Sequence, residues 1–339
     1  MAFAIAAGLS ATAPAAAQEL PVGAGFLTKF SGTTEVEIGG ISQIVLDTAG
    51  TTGSAMDVAS PPHGPDGRQW QYPPELFRTT AAETGQVFGV AIDDAPEPNI
   101  YLTATSAFGL HRAGDGSDWM DGMWGAGGGP GTVYRLSALN GYAPEVFAQI
   151  TLDGRPNSGA ALGNIAYDPG NRQLFVSDLE TGMIHRLQLS DGFDLGRYDH
   201  GLDGRASFFD AATGLTESLP TVAFDPATTA RIDDCPSGDF ARDPSCWNVA
   251  DFRRRVWGLA VRSDPVGGVS RLFYAVWSSQ GLGNLDHLTM PGEWRNTIWS
   301  VGLTADGDFD LADVRREATL PDFFRDPAAI ARAGYSHPV

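Results

Sequence analysis

Three stretches of the chain can be laid under one another without gaps, and that alignment constrains the fold more than any other feature. Phe88-Gly89-Val90-Ala91-Ile92-Asp93, Gly163-Asn164-Ile165-Ala166-Tyr167-Asp168 and Trp257-Gly258-Leu259-Ala260-Val261-Arg262 form a first column. Ile100-Tyr101-Leu102-Thr103, Leu174-Phe175-Val176-Ser177 and Leu272-Phe273-Tyr274-Ala275 form a second. Val133-Tyr134-Arg135-Leu136, Ile184-His185-Arg186-Leu187 and Ile298-Trp299-Ser300-Val301 form a third. Short apolar runs repeating at long intervals are the signature of supersecondary units that bury their faces only by stacking on one another. The 42 glycines and 22 prolines supply the turns that many short strands need. The expected fold is all-β: a β-propeller of four-stranded antiparallel blades, about four of them visible.

With strands a to d counted outward from the axis, column a carries Ala91, Ala166 and Ala260, small residues where inner strands crowd together. Weaker outer strands are expected at Pro144 to Thr151, Asp194 to His200 and Val314 to Pro321. Gly25-Phe26-Leu27-Thr28-Lys29-Phe30 fits column c, with Lys29 under Arg135 and Arg186. This leaves half a blade at the start, three full blades and a stub. That count reads as the N-terminal part of a larger ring, six-bladed in the simplest case, whose missing strands close it and remove its sheet edges. The alternative is a complete small propeller with strands too faint to see.

Connections a–b and c–d emerge on one face of such a fold, b–c and d–a on the other. The long insertions 107–130 and 279–296 read as b–c, and 60–86 and 202–253 as d–a, which places all four on one face. One-sided insertions in a repeat fold mark the binding side.

Residues 1–17 read as a signal peptide and 18–339 as the propeller domain. Met1 to Leu9 is apolar, and Ala15-Ala16-Ala17 before Gln18 fits a small-residue cleavage site, although a basic n-region is missing. A buried helix of the mature domain is the alternative. The expected location is therefore periplasmic or extracellular. In that setting Cys235 and Cys246, the two cysteines, are expected to form a disulfide contributing about 3 kcal/mol, with free thiols as the other possibility. The net charge of −19 excludes a nucleic-acid partner, because phosphate contacts require clustered cations. No stretch after the leader is long and apolar enough to span a bilayer.

The insertions carry the candidate chemistry. Asp115, Asp118 and Asp121 stand at three-residue steps among glycines and could wrap calcium, though the spacing is not that of an EF-hand and a solvated acidic loop is the plainer reading. Asp286 and His287 could position a general base, yet no activated serine or cysteine accompanies them. Trp119, Trp124 and Trp294 lie in the insertions with Trp70 and Trp247, either as sugar-binding platforms or as pins for long loops. Asn164 starts strand a where the other copies have Gly89 and Gly258. Asp178 reads as a turn residue.

The segment from Leu162 through Asp178 to Leu187 resembles an NHL- or YWTD-type propeller repeat, best in one blade and diluted by insertions in two others. The resemblance implies binding of protein or glycan more often than catalysis, and says more about fold than function. Calcium-dependent propeller hydrolases of the gluconolactonase and paraoxonase type place Asn, Asp and Glu around the axis; glycines at 89 and 258 break that ring here. The reading is therefore a secreted, non-enzymatic binding scaffold for a protein or carbohydrate. A metal-dependent lactonase-type hydrolase or lyase is second, and a quinone-dependent sugar dehydrogenase a distant third.

Overall fold

The computed structural model describes residues 20–58, 73–113, 118–225, 250–263, 270–277 and 295–320. Residues 1–17, read above as a signal peptide, both cysteines, Asp115, Asp286, His287 and Trp294 lie outside the described residues. The chain folds as a β-propeller.

The first blade contains β1 (Ala24–Thr28), β4 (Thr51–Asp57) and β5 (Glu75–Thr80) in the order β1-β4-β5, with a separate hairpin of β2 (Thr33–Ile38) and β3 (Ile41–Leu46) between β1 and β4. A helical turn, α1 (Ala81–Thr84), leads to the second blade. That blade is β6 (Val87–Ile92), β7 (Ile100–Ala104), β8 (Thr132–Leu136) and β9 (Pro144–Gln149). A small hairpin, β10 (Thr151–Leu152) and β11 (Arg155–Pro156), precedes the third. The third blade is β12 (Leu162–Asp168), β13 (Gln173–Asp178), β14 (Met183–Gln188) and β15 (Asp194–Asp199).

Before the fourth blade the chain makes a further hairpin, β16 (Phe208–Asp210) and β17 (Leu215–Glu217). The blade itself is β18 (Val256–Arg262), β19 (Arg271–Val276), β20 (Thr297–Leu303) and β21 (Phe309–Thr319). Strand β16 pairs in parallel with β21, so the insertion between the third and fourth blades widens the fourth to six strands.

Alternation along column b builds the blade interfaces. Ile100 and Leu102 pack back onto Phe26 and Ala55 of the first blade. Tyr101, on the opposite face of the same strand, packs forward onto Ile165, Leu174 and Val176. Phe175 repeats the forward position against Leu259, Leu272 and Tyr274. A strand held between two blades is buried throughout, as all six residues of β13 are. Strand β19 instead alternates between buried and half-buried positions, because Phe273 and Ala275 face outward from the fourth blade.

This geometry moves the N-terminal strand by one column. Phe26 packs forward as Tyr101 and Phe175 do, and Thr28 occupies the place of Thr103 and Ser177. Strand β1 is therefore strand b, β4 is c and β5 is d. The innermost position of the first blade is empty among the described residues. Matching Lys29 to the arginines of column c had weighted a solvent-facing charge over the buried aromatic and hydroxyl. The insertion map changes with it. The span 60–86 contains strand d itself, β5, and the helical turn α1, so it is not a single d–a insertion. The β2–β3 hairpin, a b–c connection, takes its place among the decorations of the elaborated face.

Candidate functional site

Each complete inner strand begins with the same irregularity. Register shifts fall between Val87 and Val90, between Leu162 and Ile165, and between Val256 and Leu259. The bulged pairs are Phe88-Gly89, Gly163-Asn164 and Trp257-Gly258. A bulge leaves main-chain groups without ladder partners and re-aims side chains. Column b supplies the missing partners with a hydroxyl. Gly89 N donates to Thr103 Oγ1 (3.0 Å), which donates to Gly163 O on the next blade (2.8 Å). Asn164 N donates to Ser177 Oγ (2.9 Å), which donates to Trp257 O (2.7 Å). Thr28 Oγ1 begins the series by donating to Phe88 O (2.7 Å).

The packing explains the glycines. A Cβ at Gly89 would lie 2.5 Å from Thr103 Oγ1, and one at Gly163 2.5 Å from Ser177 Oγ. At Gly258 the nearest atom would be Ala275 Cβ at 3.7 Å, because column b has no hydroxyl there.

The bulges direct an aromatic cluster toward the axis on the elaborated face. Phe88 of the second blade and Trp257 of the fourth meet edge to face at 5.5 Å, with Gly163 in the equivalent place on the blade between them. Trp257 continues to Trp277 (5.9 Å), and Phe88 to Phe108 (6.5 Å). Phe30 lies 5.6 Å from Phe108 and 6.0 Å from His111. Phe88 and Trp277 are each 38% exposed. Beside Trp257 and Trp277, an apolar depression of about 390 Å³ is completed by Ala275, Ile298 and Leu320. Rings of this size left in water as a connected group mark an interaction surface.

The other sequence candidates take different places. Asn164 is half-buried at the mouth, its Oδ1 accepting from Ile165 N (2.8 Å). Trp119 and Trp124 pack edge to face at 5.3 Å, Arg112 lies 4.1 Å over Trp119, and both tryptophans border the Leu46, Leu110 and Met123 core. That is the geometry of loop pins. Asp118 and Asp121 are exposed, and Asp118 Oδ1 accepts from Trp119 N (2.7 Å). Among the described residues no group of three His, Cys, Asp or Glu side chains stands close enough to hold a metal ion.

Buried carboxylates are occupied with turns. Asp93 accepts from Asn99 N (2.8 Å) and Nδ2 (2.7 Å), and Asp168 from Gly170 N (3.0 Å) and Gln173 Nε2 (2.9 Å). Asp178 accepts from Asn157 Nδ2 (2.8 Å), Thr181 Oγ1 (2.7 Å) and Glu180 N (3.0 Å), and burial raises its pKa. It holds the b–c turn, as a turn residue should.

Glu180 ties that turn to the β10–β11 hairpin through Arg155 Nη2 (2.8 Å) and Ser158 N. Burial, with the Asp178 charge nearby, raises its pKa from the usual 4.5 to about 7. The folded state therefore takes up this proton more readily than the unfolded chain. Its contribution to stability grows as pH falls from about 7 toward 4.5, by at most about 1.4 kcal/mol per unit. Glu180→Gln should flatten that slope in urea titrations compared across the range; an unchanged slope would show that Glu180 does not titrate there.

No protein-family model matches the chain, and the search of curated proteins finds no match. Among solved structures, a chain of the crystal structure of a nidogen/laminin complex is similar at 14% identity and a TM-score of 0.35. The match covers 79% of this chain and 58% of that one. The assignment of the fold rests on the sheets described above.

Proposed function

We propose that this protein is a secreted or periplasmic, non-enzymatic propeller that binds a protein ligand through its elaborated face. The observation that carries the reading is the aromatic mouth formed by Phe88, Phe108, Trp257 and Trp277, with Phe88 and Trp257 set on inner strands where the decorated connections meet. Aromatic anchors of this kind supply much of the affinity at protein interfaces. Their edge-to-face packing presents a ridged apolar surface, which suits a protein partner better than the single flat ring that stacks on a sugar. Among the described residues, the buried carboxylates Asp93, Asp168 and Asp178 are engaged in turns.

A photo-crosslinking amino acid at position 277 or 88 should give a discrete adduct in the native secreted milieu. The same group at position 97, on the opposite face, should give none. Equal labelling at both faces, or none at the mouth, would remove the reading; an adduct with glycan would change the class of ligand. Trp277→Ala should abolish the adduct formed from position 88 while costing about 1 kcal/mol of stability or less, since the ring is partly exposed. Metal analysis tests the competing reading. A stoichiometric cation held over the axis by several blades would favour the lactonase-type hydrolase.

A further inference from the structure

A second feature of the elaborated face lies away from the axis, between the fourth blade and the insertion that widens it. A partly open cavity of about 40 Å³ is lined by four arginines, Arg205, Arg253, Arg295 and Arg316, together with His200 and Trp299. This is room for roughly three waters, at about 10–15 Å³ for each. The arginines come from separate parts of the chain: the insertion, the approach to β18, the approach to β20, and β21. Among the described residues no carboxylate lines it, although the protein carries a net charge of −19.

Among the described residues, acidic groups hold two of the arginines. Asp251 holds Arg253 through Nε (2.9 Å) and Nη2 (2.8 Å). Asp210 and Glu217 (3.3 Å) hold Arg316, and Arg205 Nε donates to Pro220 O (2.7 Å). These contacts neutralise part of the charge and fix the direction of the guanidinium forks, which is how planar donors are prepared for a carboxylate, sulfate or phosphate.

Two lining residues then carry a buried nitrogen with no hydrogen bond. His200 is 1% exposed and wedged edge to face against Trp299 (4.7 Å) and Tyr274 (5.4 Å). Its Nδ1 lies 3.0 Å from the Tyr274 hydroxyl, while Nε2 is buried without a hydrogen bond. Burial, with Arg205 and Arg254 nearby, holds its pKa well below the ordinary value, so the ring is neutral. The Tyr274 hydroxyl reaches both Nδ1 and the Tyr198 hydroxyl (2.9 Å), so the ring hydrogen sits on Nε2 when Tyr274 donates to Nδ1 and on Nδ1 when it donates to Tyr198. Arg316 Nε is likewise buried and unsatisfied. Native proteins rarely leave such groups empty.

We propose that this cavity is a binding site for one small oxyanion group, a carboxylate, sulfate or phosphate, with Arg316 Nε among its donors and His200 Nε2, in the tautomer that places the ring hydrogen there, as a second. The site uses none of the aromatic residues of the mouth and does not rest on the protein-binding reading. The group is either a free inorganic ion or the acidic end of a larger organic ligand.

Calorimetric titration of the purified protein with sulfate, phosphate, acetate and glucuronate, each at one ionic strength set with chloride, tests the site. One-to-one saturable binding of at least one of them is expected. The ¹⁵N shift of His200 Nε2 should move with saturation. Arg253→Gln, which removes the ion pair with the partly exposed Asp251, should weaken binding about tenfold or more, the usual consequence of losing a charge-assisted hydrogen bond. His200→Phe keeps the ring packing and should weaken it as well. Tightest binding of sulfate or phosphate identifies a free ion, and tightest binding of glucuronate or acetate an acidic end group. Binding no tighter than chloride, a cavity filled by water alone, or equal affinity in both variants would overturn the proposal. None of these outcomes alters the crosslinking result at the mouth.

Discussion

Replacing Arg254 by methionine should lower the unfolding free energy by about 3–5 kcal/mol, the cost of leaving a buried charge without its partner. Arg254 is 1% exposed, and its guanidinium joins three separate parts of the fold. Nη2 donates to Asp199 Oδ1 (2.7 Å) at the end of β15, Nε to Thr181 O (2.8 Å) in the b–c turn of the third blade, and Nη1 to Val222 O in the insertion. Methionine fills much of the volume but satisfies none of the three acceptors. Asp199 would keep its hydrogen bond from Leu202 N (3.3 Å) and lose its counter-ion. The double variant with Asp199→Asn should recover part of the loss, because a neutral amide costs less to bury than an unpaired carboxylate. Urea unfolding of the single and double variants measures both effects. A loss below about 1 kcal/mol for Arg254→Met would show that the clamp contributes little to holding the insertion, contrary to the strong destabilisation a broken buried pair produces.

The columns were legible because blade packing needs the same residue types at the same offsets. The aligned runs beginning at Phe88, Gly163 and Trp257 fall in β6, β12 and β18, and the second and third columns fall in the middle two strands of each complete blade. Outer strands were less sharply defined: β21 begins at Phe309, five residues before the expected start, since its solvent-facing stretch lacks a buried alternation. The N-terminal strand was displaced because a hairpin interrupts its blade and its inner neighbour is missing. The decisive residues were Phe26 and Thr28 rather than Lys29. The aromatic mouth was half visible. Phe88 and Trp257 occupy one aligned position, but nothing in the alignment says that a bulge turns both toward the axis. The arginine cavity could not be read at all, since it gathers positions 200, 205, 253, 295 and 316 from across more than a hundred residues.

The bulges themselves lead to the second large effect. Thr103→Val is nearly isosteric, so it should leave the blade packing intact while removing one hydroxyl. That hydroxyl is the acceptor for Gly89 N and the donor to Gly163 O, in a fully buried position. Each buried group left without a partner costs about 1–3 kcal/mol, so the variant should lose about 2–6 kcal/mol. Thr28→Val should lose less, because the bond from Thr28 to Phe88 O is exposed to water that can replace it. Ala275→Ser should change stability by no more than about 0.5 kcal/mol, as that position faces outward from the fourth blade with no described strand beyond it to accept the bond. The ordering separates this account from a simple volume effect, which would make Thr103→Val nearly silent. It also ties stability to the mouth. The carbonyls held by Thr28, Thr103 and Ser177 belong to Phe88, Gly163 and Trp257, so the hydroxyls that staple one blade to the next also fix the two facing rings and the gap between them. Ser177→Ala frees Trp257 O and should weaken crosslinking at the mouth by more than its loss of stability explains. Equal crosslinking in a folded Ser177→Ala protein would show that the rings are positioned by their own packing instead.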